Sequence, residues 1–190
     1  MPKLYFRYGS MNSSKTANLL MVAHNYETQN KKVIIVKPKL DDRFGENIVK
    51  SRCDIQKPAT LVIDKNFNLL EEITYKKYKN SEILIDIYLI DEVNFLTENQ
   101  INQLRIISID IPVIAYGLRT DYKTKLFPAS KRLMEIADSI EEIKTICNFC
   151  SRKAIINMKH SNGKTIKEGD DEPDLGSEEK YLAVCWNCWV

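Results

Sequence analysis

Short apolar runs alternate with helix-forming stretches along most of the chain. Leu4-Tyr-Phe-Arg-Tyr8 is a β-rich run that ends at Gly9, and residues 16–28 carry helix formers around Leu19, Leu20, Met21, Val22 and Ala23. Lys32-Val-Ile-Ile-Val-Lys37 is a compact apolar run of the kind that parallel strands buried on both faces require. Residues 38–52 are polar and charged and predict an irregular loop. A short strand over 59–63, a helix over 69–78 and a strand over 83–90 follow, the last ending at Asp91-Glu92. Thr97 with Gln100 forms a capping-box pattern at the start of another helix. Pro112-Val-Ile-Ala-Tyr116 reads as a strand closed by Gly117, then a helix over 127–137 and a strand over 140–146. Strand and helix in alternation predict an α/β domain with a parallel sheet. After Cys147 the texture changes to short strands, an Asn162-Gly163 hairpin turn and a loop at Gly169-Asp-Asp-Glu-Pro-Asp174. The expected boundary lies near residue 144, giving a nucleotide-binding unit over 1–144 and a smaller unit over 145–190. There is no internal repeat.

Composition narrows the class. A chain of 190 residues, 44% hydrophobic and 28% charged, is one large globular domain or one domain with a small appendage. A net charge of +2 lacks the dense positive field of a nucleic-acid binder. No apolar run reaches the roughly 18 residues a membrane span needs, and the opening residues have no signal-peptide core. The expectation is a cytoplasmic protein with neither a membrane nor a nucleic-acid partner.

Candidate chemistry begins at Gly9-Ser-Met-Asn-Ser-Ser-Lys15-Thr16, between a predicted strand and a predicted helix. That context suits a phosphate loop, whose backbone N–H groups and helix dipole receive phosphate oxygens. Gly9, Ser10, Met11, Asn12, Ser13 and Ser14 would line it, and Lys15 would reach the outer phosphates. The Thr16 hydroxyl would bind Mg²⁺. Ser14 stands where such loops usually have a second glycine. At the tip of the later apolar strand, Asp91 fits the carboxylate that orients Mg²⁺, leaving Glu92 to accept a proton from an attacking hydroxyl.

The second cluster is two Cys-x-x-Cys pairs, Cys147/Cys150 and Cys185/Cys188. Four thiolates are the number a closed tetrahedral zinc site takes. A disulfide pairing is the alternative, favoured only by secretion. Cys53 is left over and receives no role, nor do His24 and His160, which lack ligand spacing. Trp186 and Trp189 flank Cys188 and are expected to pack around the zinc knuckle.

Taken together, several segments resemble the type II, zinc-containing thymidine kinase family. They are the phosphate loop at 9–16, Asp41-Asp-Arg-Phe-Gly45, Asp91-Glu-Val-Asn-Phe95, Tyr116-Gly-Leu-Arg-Thr-Asp-Tyr122 with Lys125-Leu-Phe127, and Ile146-Cys-Asn-Phe-Cys150 with Tyr181-Leu-Ala-Val-Cys185. The resemblance runs from about residue 4 to 188. It departs at Ser14, at Asn94 where a Gln is usual, and at Arg119 where many members have Asp. The chain also stops two residues after Cys188, before any regulatory tail.

The resemblance implies a P-loop, RecA-like parallel sheet flanked by helices, with a small C-terminal zinc-ribbon or lasso domain covering the substrate. It implies ATP-dependent transfer of phosphate to the 5′-hydroxyl of thymidine, with structural Zn²⁺, with Mg²⁺ accompanying ATP, as a homotetramer inhibited by dTTP. Glu92 would be the general base, Arg43 would touch phosphate with Asp41 nearby, and Val93 and Asn94 would complete the phosphate side. Met11, Leu118, Tyr122 and Phe127 would line the base pocket, closed by Asn157, Leu175, Gly176 and Tyr181. Two rival readings stand beside it. A zinc-ribbon nucleic-acid-binding ATPase would carry a basic stripe and helicase-type motifs, and the sequence has neither. A catalytically inactive nucleotide-binding module would be consistent with Ser14.

Overall fold

The computed structural model describes residues 3–72, 84–161, 164–169 and 180–190. Six strands form one parallel sheet: β1 (Leu4–Tyr8), β2 (Val33–Pro38), β5 (Leu61–Ile63), β6 (Ile87–Ile90), β7 (Val113–Gly117) and β8 (Ser139–Glu142). Their spatial order is β5-β2-β6-β7-β1-β8. The strand leading into the phosphate loop is therefore separated by one strand, β7, from the strand that ends at Asp91.

Alternation along the central strands divides the core into two layers, as a pleated strand dictates. Val33, Ile35, Ile87 and Leu89 pack with Leu19, Leu20 and Ala23 of helix α1 (Lys15–Glu27). Ile34, Val36, Tyr88 and Ile90 point the other way, toward Ile101 and Leu104 of α2 (Glu98–Ile107) and Leu133 of α3 (Pro128–Ile136). All six residues of β2 are buried. The capping box forms as predicted: Gln100 N–H donates to Thr97 Oγ1 at 3.2 Å, and Thr97 N–H donates to Gln100 Oε1 at 3.0 Å. Pro128 opens α3, where its missing N–H leaves no bond unmade.

The structure alters several expected elements. The stretch 38–52 is not wholly irregular: β3 (Ile48–Lys50) pairs antiparallel with β4 (Gln56–Pro58). Three residues are too few for hydrophobic alternation to stand out, and Val49 is the buried one. β6 begins four residues later than predicted, and β8 ends at Glu142 instead of 146, where its pairing with β1 stops. Residues 69–72 are helical, whereas the remainder of that predicted helix and the Asn162-Gly163 turn lie outside the described residues. Beyond Cys147, β9 (Ile156–Ser161), β10 (Lys164–Ile166) and β11 (Tyr181–Val184) form a separate antiparallel sheet in the order β10-β9-β11, followed by the short helix α4 (Trp186–Trp189).

Candidate active site

The carboxyl ends of β1, β2, β6 and β7 lie along one edge of the sheet, where open α/β sheets bind ligands. β1 leads directly into the phosphate loop. Asn12 (φ 63°) and Ser14 (φ 61°, ψ 27°) take left-handed backbone conformations on either side of Ser13. Turns of this kind direct successive N–H groups into a concavity that suits an anion. A Cβ on Gly9 would collide with the Ile143 carbonyl oxygen and Ser13 Oγ, so the first position of the loop must be glycine. Ser10 Oγ is buried with no hydrogen-bond partner. Lys15 curls back over the loop, its Nζ donating to the Ser10 carbonyl at 2.8 Å and to Ser13 Oγ at 3.4 Å. Burial lowers the Lys15 pKa to about 8, against the opposing pull of Glu92 and Asp91.

Thr16 donates its hydroxyl to both carboxylate oxygens of Asp91, at 3.2 and 3.3 Å. Burial, reinforced by the charges of Glu92 and Asp41, holds the Asp91 carboxyl above the usual carboxylate range. A hydroxyl and a buried carboxylate in contact are the hard oxygen donors a small divalent cation takes. Glu92 sits beside them in a left-handed conformation (φ 46°, ψ 43°), the backbone strain that recurs at functional sites. Arg43 bridges two acids, with Nε on Asp41 Oδ1 at 2.6 Å and Nη2 on Glu92 Oε1 at 2.8 Å. Burial works against the Arg43 charge, but the Asp41 hydrogen bond and the two carboxylates outweigh it and raise its pKa.

Two predicted phosphate-side residues have inward-facing side chains. The Val93 side chain is fully buried in the core. Asn94 Oδ1 accepts from the Leu118 N–H at 2.8 Å, while its Nδ2 is buried without a partner. Gly117 makes this contact possible, because a Cβ there would stand 2.7 Å from Asn94 Oδ1 and 2.8 Å from Val93 Cγ1.

On the opposite side of the loop, Asn157 joins the C-terminal sheet to the larger one. Its Oδ1 accepts from the Met11 N–H at 2.7 Å, and its Nδ2 donates to the Thr120 carbonyl at 3.3 Å. The Tyr122 and Tyr181 rings lie 6.5 Å apart, with Lys159 Nζ 5.1 Å from the first centroid and 5.9 Å from the second. Phe127 meets Phe95 edge to face at 6.1 Å. Asn157 thus joins Met11 to the Thr120 segment, and Tyr122 meets Tyr181, whereas Leu118 contacts Asn94 and Ser130, and Leu175 and Gly176 lie outside the described residues.

The four paired cysteines converge, with all four Sγ atoms within 4.8 Å of one another. Cys150 Sγ lies 3.7 Å from Cys185 Sγ and 3.8 Å from Cys188 Sγ. A disulfide needs about 2.05 Å. Tetrahedral ligation at about 2.3 Å per Zn–S bond places sulfurs about 3.8 Å apart, so the cluster can hold a metal ion and fits zinc. Trp186 and Trp189 pack together beside it at 5.2 Å, while Cys53 lies apart and exposed.

Sequence reasoning passed over two lysines here. Lys159 had no signal beyond an ordinary strand position. Lys37 had one: it is the charged residue at the end of an otherwise apolar strand, and it is 1% exposed.

The thymidine kinase family model matches residues 2–189. A thymidine kinase of Francisella tularensis subsp. holarctica is 43% identical over 196 residues, covering 100% of this chain and 97% of its own. One from Streptococcus agalactiae is 40% identical over 97% of this chain and 95% of its own. One from Lactiplantibacillus plantarum is 43% identical over 97% and 94%.

Proposed function

The chain belongs to the thymidine kinase family and phosphorylates thymidine, and from that premise we propose which residues do the work and with what donor. The donor is ATP and the product is thymidine 5′-monophosphate. The observation that carries this reading is the convergence of Lys15, Thr16, Asp91, Glu92 and Arg43 at one end of the sheet. The loop N–H groups and Lys15 receive the phosphates. Thr16 and Asp91 are the donors for Mg²⁺, which neutralises phosphate charge when bound. Glu92 accepts the proton of the 5′-hydroxyl as that oxygen bonds to the γ-phosphorus. The bond from that phosphorus to the β,γ-bridging oxygen breaks, and ADP leaves with the electron pair. Arg43 counters the charge spread over the transferring group.

The base lies against Met11, Leu118, Tyr122 and Phe127, with Tyr181 beside it, and Leu175 and Gly176 are assigned to the same pocket on family grounds alone. Asn157 acts there as a clamp, since both ends of its amide are engaged by Met11 and Thr120. The cysteine cluster takes one structural Zn²⁺, and the functional division falls near residue 144. Val93 and Asn94 complete the phosphate side, their side chains packed beneath it against Gly117 and Leu118. A cytoplasmic homotetramer inhibited by dTTP completes the proposal on family grounds. No helix among the described residues is long and apolar enough to cross a membrane.

The test is transfer from labelled ATP to thymidine by purified protein, with deoxycytidine and single-stranded DNA as controls. Glu92→Gln keeps shape and hydrogen bonding but removes the base. It should lower kcat about 10²-fold or more, with both substrates bound nearly as well. Near-normal kcat with chemistry rate-limiting would remove Glu92 from the role.

A further inference from the structure

Lys37 stands at the carboxyl end of β2, second from the edge of the parallel sheet, with 1% of its surface exposed. Its Nζ donates to two backbone carbonyls, Gly45 at 2.9 Å and Ile48 at 2.7 Å. Among the described residues no carboxylate pairs with it. An ammonium withdrawn from water costs several kcal/mol unless its protons are well placed. The preceding residues of the strand, Val33 to Val36, are apolar, so an apolar side chain here would suit the packing. The charge makes sense through the carbonyls it holds, Gly45 on the return limb of the loop after β2 and Ile48 where that limb becomes β3. That loop carries Asp41 and Arg43.

The other backbone bonds of the loop are mostly local turns: Asp41 N–H to Pro38, Gly45 N–H to Asp42 and Ile48 N–H to Gly45. Ala59 N–H reaches Asn47 from β5's approach. Lys37 hydrogen-bonds the return limb directly to the central sheet. Two residues before Gly45, Arg43 spans from Asp41 to Glu92.

We propose that Lys37 is a positioning residue for phosphoryl transfer, holding the loop so that the Arg43 guanidinium stays against Glu92 at the phosphate site. This rests on the roles given above to Arg43 and Glu92. Lys37 touches no substrate and acts through the Gly45 and Ile48 carbonyls.

The test is a mutant cycle on the full chain. Lys37→Met removes the ammonium and keeps the apolar stem. Gly45→Ala attacks the same contact from the exposed loop: a Cβ there meets only Ile48 Cγ1 at 3.9 Å, but φ of +100° disfavours it, so the carbonyl must move. Each should lower kcat by about 10–100-fold, the scale of a misplacement near 1 Å. The thymidine KM should stay within about twofold, as expected when ground-state binding is kept. In an Arg43→Ala background neither change should lower kcat further, because both act through Arg43. Effects that multiply with Arg43→Ala would make Lys37 merely structural and overturn the proposal. Folded Gly45→Ala protein with wild-type kcat would overturn it too, even if Lys37→Met failed to fold. If Arg43→Ala alone leaves kcat unchanged, the role of Arg43 falls first and this inference with it. If Arg43→Ala lowers kcat while the other two do not, only this inference falls.

Discussion

Lys15 combines burial with proximity to Asp91 and Glu92, and the first effect wins: its pKa falls to about 8. This gives phosphate binding a definite pH signature. The charged ammonium is the form that attracts phosphate, so bound phosphate raises the Lys15 pKa above its value in the free protein. Below pH 8 the free protein is already protonated and affinity for ATP should be flat. Above pH 8 the free protein loses the proton that the complex keeps, and ATP affinity should fall by up to about tenfold per pH unit. Calorimetry between pH 7 and 9.5, in two buffers of different ionisation enthalpy, should register proton uptake that grows above pH 8. Lys15→Ala should bind ATP weakly at every pH and lose this slope. A wild-type affinity unchanged to pH 9.5, together with Lys15→Ala binding ATP as well as wild type, would mean that the ammonium is not a phosphate ligand.

The phosphate loop was legible as an element because a strand, a glycine, a Lys-Thr pair and a helix occur in that order. The cost of Ser14 was legible too, since its predecessor in ordinary loops is glycine, and the left-handed φ of 61° explains why. A residue with a Cβ gives up about 1–2 kcal/mol in that region. Glycine returns about 0.4–1 kcal/mol of that through the greater freedom of its unfolded chain. Ser14→Gly should therefore stabilise the protein by about 1 kcal/mol or less, visible in denaturant midpoints, and leave transfer intact. Loss of stability or of kcat would give the serine a positive role that its geometry does not reveal. Other elements were hidden for physical reasons. The β3–β4 hairpin has three residues per strand, too short for a pattern, and the inward turn of Asn94 depends on Gly117 lying against it in space. Spacing along the chain registers neither effect. The same limit hid how Asn157, placed at the base pocket by the family resemblance, is held: its two partners are 146 and 37 residues away.

At the scale of the whole molecule, the two larger sheets have separate cores and meet at the proposed nucleoside side. The large sheet buries two apolar layers of its own, whereas the C-terminal cluster is small and built around the cysteines, Ile156, Met158 and Val184. Structural zinc in such small units contributes on the order of 10 kcal/mol of folding free energy, more than so few side chains supply. Metal loss should therefore act unevenly. The parallel sheet should keep its far-UV signal and its own thermal transition. β9 and β11 should loosen, releasing the Asn157 amide from Met11 and Thr120 and the Tyr181 ring from Tyr122. Those contacts border the proposed nucleoside side, and none involves Lys15, Thr16 or Asp91. Chelation should release one zinc per chain and raise the KM for thymidine more than the KM for ATP, with readdition restoring both. An equal rise in the two KM values would place the zinc unit outside substrate selection. Native protein without zinc, or with a disulfide found by mass spectrometry, would remove the metal from the account and leave the cysteine geometry to be explained by packing alone.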